Sequence, residues 1–165
     1  MQNIDASIVV PFIRSTRSTF DVLLNLTLKQ KEVYVKKNFT IYGDISGTIG
    51  ISGSVSGFVW VSLPADFALD CIRALIREDA DAVLSDVVVR DGISELITMI
   101  AGGAKKDMPD KGTGIDLALP TVISGRGHEL YHNEDACNTS IIFETECGHD
   151  LALDVCIQKD YSVAA

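Results

Sequence analysis

RDGISELITMIAGGAKKD, running from Arg90 to Asp107, carries two faces. At about 100° per residue, Ile93, Leu96, Ile97, Ile100 and Ala104 fall on one side of a helix. Asp91, Glu95, Thr98, Gly102 and Lys105 fall on nearly the opposite side. The stretch therefore reads as the main part of a long amphipathic helix from about Asp81 to Asp107, left through Pro109 and Gly112. Glu95 and Thr98 stand three positions apart and project together. By pattern alone, such a polar stripe is a solvated surface. The adjacent Gly102 and Gly103 argue for more, because each glycine costs a helix about 1 kcal/mol relative to alanine. Close approach of another backbone or of a partner accounts for that cost.

Working back toward the N-terminus, Pro64 opens a helix over Ala65 to Arg77, with Phe67, Leu69, Cys71, Ile72, Leu75 and Ile76 in helical register. Ile41 to Leu63 is rich in β-branched and aromatic residues and carries Gly43, Gly47, Gly50, Gly53 and Gly57. It reads as a hairpin turning near Gly53 and Gly57, with FVWVSLP as the cleaner strand. Val33 to Val35 starts a strand. From Ile4 to Leu26, the spacing of Ile4, Ile8, Phe12, Phe20 and Leu23 predicts a helix that either kinks at Pro11 or begins there. Toward the C-terminus, strands are expected at Ile115 to Leu119, Thr121 to Ser124, Thr139 to Glu146 and Leu151 to Gln158, the last two joined in a hairpin at Gly148. Helix, hairpin, two helices, then strands is the order of an α+β fold, an antiparallel β-sheet packed against a few helices.

Composition narrows the function. The 165 residues are 47% hydrophobic and 22% charged, enough for an ordinary core, and the length suits a single domain over 1–165. Lys and Arg total 14 against 23 Asp and Glu, a net charge of −9, which argues against gripping nucleic-acid phosphates or acidic membrane surfaces. No apolar run is long enough for a membrane span, and MQNIDASIVVPF lacks a basic, cleavable leader, so a cytoplasmic location is expected. Cys71, Cys137, Cys147 and Cys156 form no C-x-x-C pair. The last three alternate with apolar residues in expected strands, which reads as buried, reduced thiols.

Several constellations compete for attention. HELYH, His128 to His132, matches the H-E-x-x-H zinc pattern, which requires both histidines on one helical face. Here it follows Gly125, Arg126 and Gly127 and runs into Asn133, Glu134 and Asp135, so no helix of adequate length is expected, and no metal site is assigned to it or to His149. The glycines from Gly43 to Gly57 precede no G-K-[ST] and read as turns and bulges, not a phosphate loop. Trp60, between Val59 and Val61, reads as a packed strand residue. Lys36 and Lys37, like Lys105 and Lys106, read as solvated charge.

GISELITMIAGGAK, Gly92 to Lys105, resembles the signature helix of the CheX and CheC chemotaxis phosphatases, a Glu, two residues, an Asn, then an Ala-Gly pair. Three more stretches resemble CheX-type domains in the same order. VPFIRSTRSTFDVLL, Val10 to Leu24, resembles the first helix; GDISGTIGISGSVSGFVWVSLP, Gly43 to Pro64, the glycine-rich hairpin; and LPTVISGRGHEL, Leu119 to Leu130, the Pro-Thr-Val segment. The resemblance implies a CheC/CheX-like α+β domain, homodimeric through its sheet. It also implies a partner, a phosphorylated CheY-like response regulator whose aspartyl phosphate the domain helps to hydrolyse. The Mg²⁺ belongs to the receiver, and this chain brings no cofactor of its own. Carried over by position, Glu95 meets a lysine of the regulator, and the residue at 98 fixes the attacking water. Asp91, Gly102 and Lys105 share the docking face.

The departure is Thr98, which occupies the Asn position. A threonine hydroxyl reaches about one bond less than an amide and is stiff at χ1. A misplacement of about 1 Å can cost roughly 100-fold in rate. Ser94 and Asp91 are the neighbours that could stand in for the missing amide. Two functions follow: a working aspartyl-phosphate phosphatase acting through Glu95 and Thr98, or a weak or inactive relative serving as a receiver-binding or dimeric interaction module.

Overall fold

The computed structural model describes residues 6–36, 39–41, 43–108, 114–131 and 137–158. In chain order the elements are α1 (Ala6–Leu24), β1 (Leu28–Lys36), β2 (Phe39–Ile41), β3 (Ile45–Gly53), β4 (Ser56–Leu63), α2 (Ala65–Ile76), α3 (Asp86–Asp107), β5 (Ile115–Leu117), β6 (Thr121–Ser124), β7 (Glu129–Tyr131), β8 (Cys137–Thr145) and β9 (Asp150–Gln158). Seven strands form one antiparallel sheet in the order β1-β8-β9-β4-β3-β5, with β6 also pairing to β3. β2 and β7 form a separate antiparallel pair. The architecture is α+β, as expected.

Alternation along the strands assigns the two faces of the sheet. In β9, Leu151, Leu153, Val155 and Ile157 point into the core with Val59, Val61 and Leu63 of β4 and Ile45, Ile49 and Ile51 of β3. The helices cover this face: Phe12 and Phe20 of α1, Phe67 and Ile72 of α2, and Ile93, Ile97 and Ile100 of α3 all belong to the same core. α3 lies close on β3 because Gly47 has no side chain; a Cβ there would stand 3.0 Å from Ile93 Cγ2. The other face carries Ala152, Asp154 and Cys156 of β9 opposite Ser62, Trp60 and Phe58 of β4. Trp60 and Asp154 are both buried there, and Ser140 donates to the Asp154 carboxylate. Burial and the neighbouring Asp154 charge push the Tyr34 phenol up, although its bond with Ser140 opposes them.

Several boundaries differ from expectation. α1 begins at Ala6 and carries Pro11 inside it, buried, so the helix neither starts at the proline nor stops before it. Leu24 faces the core and Leu23 is 44% exposed, the reverse of the expected register at the helix end. Ile4 lies outside the described residues. β1 begins at Leu28, well before Val33, in a polar run LKQKE that owes its extended form to pairing with β8. The Ile41 to Leu63 hairpin is β3 and β4 alone, turning at Ser54 and Val55 after Gly53 at φ +116°, while β2 pairs with β7. α3 begins at Asp86, not Asp81, because the Ser85 hydroxyl caps it by accepting from the Val88 N–H. Cys147 is exposed in the β8–β9 turn and is not a buried strand residue. Cys71 in α2 and Cys156 in β9 are buried thiols outside any disulfide among the described residues, and burial, with Asp70 adding to it, pushes the Cys71 thiol up to about 12.

Candidate functional site

α3 places the candidate residues. Asp86 sits in its first turn and Lys105 and Lys106 in its last, each opposite in sign to the helix-end charge it faces. Gly92, Ile93, Leu96, Ile97, Ile100, Ala101 and Ala104 form its buried side. Two glycines set how closely it packs. A Cβ on Gly92 would lie 2.6 Å from Ile72 Cδ1, so α2 rests against α3 at that point. A Cβ on Gly103 would collide with the Ser15 hydroxyl, which donates to the Ile100 carbonyl at 2.6 Å and ties α1 to α3.

The opposite side is open. Asp91, Glu95, Thr98, Gly102 and Lys105 are all exposed and follow one another along the helix, so the stripe drawn from the sequence is a single continuous surface. Thr98 Oγ1 donates to the Ser94 carbonyl at 2.8 Å, one turn back. Its proton is thereby committed to the helix, and its lone pairs remain for a donor from outside. Ser94, half-buried, supplies that carbonyl, so its backbone has a part in holding Thr98. Lys105 Nζ lies 3.2 Å from Asp116 Oδ1, which joins the C-terminal end of the stripe to β5. The helix brings Asp91, Glu95, Thr98 and Gly102 onto one face without help from any other element.

Two features went unread in the sequence. Val87 and Val88, 60% and 36% exposed, extend the stripe by a turn beyond Asp91. The signal was available: two apolar residues at the outward phase of an amphipathic helix. Asp116 could not be found from pattern, because its pairing with Lys105 depends on β5 folding back along β3.

The competing constellations dissolve into structure. Glu129 to Tyr131 of HELYH is strand β7, where the helical spacing of the zinc pattern does not exist, and His132 lies outside the described residues. His128 donates from Nδ1 to the Gly125 carbonyl at 2.9 Å, which leaves Nε2 to accept from the Ser46 hydroxyl at 2.7 Å. Ser46 bonds in turn to Ser62. His128 thus pins the turn after β6 to the sheet. His149 stacks on Phe67, with ring centroids 5.0 Å apart. Among the described residues no three His, Cys, Asp or Glu side chains gather in a metal-binding group. Among them, too, no helix is long and apolar enough to cross a membrane.

Fold and site together define an α+β domain that presents one polar helix face on a sheet-backed core. A family model described as chemotaxis phosphatase CheX matches residues 45–144, from β3 into β8. The chain belongs to the CheX family. It is 28% identical over 122 residues to the CheY-P phosphatase CheX of Thermotoga maritima, covering 74% of this chain and 78% of that one. The crystal structure of chemotaxis protein CheX from Vibrio vulnificus superposes with a TM-score of 0.82 at 27% identity, covering 93% of this chain and 100% of that one. CheX in the CheX–CheY–BeF₃–Mg²⁺ complex from Borrelia burgdorferi shares the fold with a TM-score of 0.76 at 20% identity, covering 92% and 97% of the two chains.

Proposed function

We propose that this chain binds a phosphorylated CheY-type response regulator through the outward stripe of α3 and promotes hydrolysis of its aspartyl phosphate, in chemotaxis or a related two-component circuit. The observation that carries this is the exposed run Asp91, Glu95, Thr98, Gly102 and Lys105 on the outside of a helix whose other side is buried, in a chain of the CheX family. The Thermotoga relative is by name a CheY-P phosphatase, and the Borrelia CheX was solved with CheY, Mg²⁺ and beryllofluoride, a phosphoryl mimic.

In this mechanism Glu95 engages a lysine of the receiver and sets the register, with Asp91 and Lys105 flanking the contact. Thr98 accepts a hydrogen bond from a water held in line with the phosphoryl group. The water oxygen bonds to phosphorus, the phosphorus–oxygen bond to the receiver aspartate breaks, and the aspartate leaves as a carboxylate while both of the water's protons stay on the inorganic phosphate, which releases one to solvent. Mg²⁺ is the receiver's and offsets charge on the phosphoryl oxygens. Most of the catalysis is positioning.

All 165 residues act as one domain in the cytoplasm in this proposal, as a homodimer joined through the sheet. β1 supports the dimer. It is the terminal strand of the sheet order, and Val33 and Tyr34 on it are 40% and 38% exposed. Light scattering on native protein and on a Val33→Lys variant tests this: a dimer that the variant dissociates is expected, and a native monomer would refute it.

Phosphate release from phosphorylated CheY-type receivers of the same organism, with native protein and Glu95→Ala, tests the main proposal. Acceleration that Glu95→Ala cuts roughly 10–100-fold is expected. Binding without acceleration would instead identify a receiver-binding module on a phosphatase fold.

A further inference from the structure

Gly92, Gly102 and Gly103 lie in one helix, and the structure explains only two of them. Gly92 gives way to Ile72 and Gly103 to Ser15. Gly102 is exposed, its φ is not positive, and an added Cβ would meet no described atom within 4 Å. Neither packing nor backbone conformation calls for a residue that weakens the helix it sits in. Its position is specific. Cα–Cβ bonds in a helix tilt toward the N-terminus, so a side chain at 102 would overlie the preceding turn, which carries Thr98. Thr98 in turn is short, stiff at χ1, and committed as a donor to Ser94 at 2.8 Å.

We infer that Gly102 is a notch that lets the receiver's phosphorylated loop settle nearer to α3, so that the acceptor-only hydroxyl of Thr98 reaches the attacking water. This rests on the proposed phosphatase function. Gly102 is thus a positioning residue: it does not touch the water but sets how far Thr98 must reach.

The test compares native protein, Gly102→Ala, Gly102→Gln and Thr98→Asn/Gly102→Ala in receiver dephosphorylation, in binding of receiver loaded with Mg²⁺ and beryllofluoride, and in thermal unfolding. Both single variants raise the Tm by about 2–4 °C. Dephosphorylation falls about tenfold in Gly102→Ala and about 100-fold in Gly102→Gln. The longer amide of Thr98→Asn restores at least part of the loss in Gly102→Ala, which a purely structural role for Gly102 would not produce. Full activity in Gly102→Gln with the Tm raised overturns the notch while leaving the phosphatase function standing. If native protein binds without hydrolysing, the notch stands only if Gly102→Gln weakens binding about tenfold or more. If native protein neither binds nor hydrolyses, both proposals fall.

Discussion

Along α3, Ile93, Leu96, Ile97 and Ile100 are each 2% exposed or less, whereas Asp91, Glu95, Thr98 and Gly102 on the other side are open to solvent. The inward side is fixed by its neighbours: Gly92 fits Ile72, Gly103 fits Ser15, and Ile93 and Ile97 fit Gly47 of β3. Among the described residues, the outward stripe is held by the Thr98 bond to Ser94 and the Lys105 pair with Asp116. One helix therefore serves two masters, and the division between them is open to experiment. Inward substitutions should move stability and leave receiver chemistry to follow from unfolding. Outward ones should move receiver chemistry and, Gly102 apart, leave stability where it was.

The largest stability effect belongs to Leu96→Ala. Removing a side chain 2% exposed leaves a cavity, and a loss of about 2–5 kcal/mol in urea unfolding is expected. An outward truncation that cost as much would erase the distinction between the faces. Glu95→Ala is the counterpart: unfolding free energy within about 0.5 kcal/mol of native, and loss of one charge-assisted contact to the receiver, about 1.5–3 kcal/mol or roughly 10–100-fold in kcat/KM. Gly92→Ala sharpens the inward side. The new methyl presses on Ile72, buried at 0% exposure, and a net loss of about 1 kcal/mol is expected once the gain in helix propensity is set against overpacking. The same change at Gly102 should stabilise.

Smaller still is Thr98→Asn, which leaves unfolding unchanged within about 0.5 kcal/mol and raises dephosphorylation several-fold if reach alone limits the threonine. No gain, with binding intact, would show that Thr98 is not the limit. Lys105→Ala should cost about 0–1 kcal/mol, because the pair with Asp116 is exposed on both sides. A larger loss would make that pair part of the framework of the fold.

How much of this was legible beforehand depended on where the information lay. The helix faces of α2 and α3 are local properties of spacing, and Ile93, Leu96, Ile97, Ile100 and Ala104 were all placed correctly on the buried side. The stripe of Asp91, Glu95, Thr98, Gly102 and Lys105 followed from the same period, and the resemblance to CheX assigned it roles. What escaped was set by distant partners. LKQKE in β1 is extended because β8 is beside it, and β2 exists because β7 returns to pair with it. Cys147 looked like a strand residue by alternation, yet Thr145 and Gly148 close a turn around it through the Gly148 N–H to Thr145 carbonyl bond at 3.0 Å. The two glycines at 102 and 103 read alike in the sequence. Only the position of Ser15 on α1 separates the one that packs from the one that faces out.

The central claim is that the outward side of α3 is the surface that meets the receiver. Titrating isotope-labelled protein with a CheY-type receiver loaded with Mg²⁺ and beryllofluoride, and following its amide resonances, tests that claim most directly. Perturbations should centre on residues 91–105 and fall away toward the face of the sheet that carries Trp60 and Asp154. Perturbations centred on that sheet face, with residues 91–105 unmoved, would contradict the account.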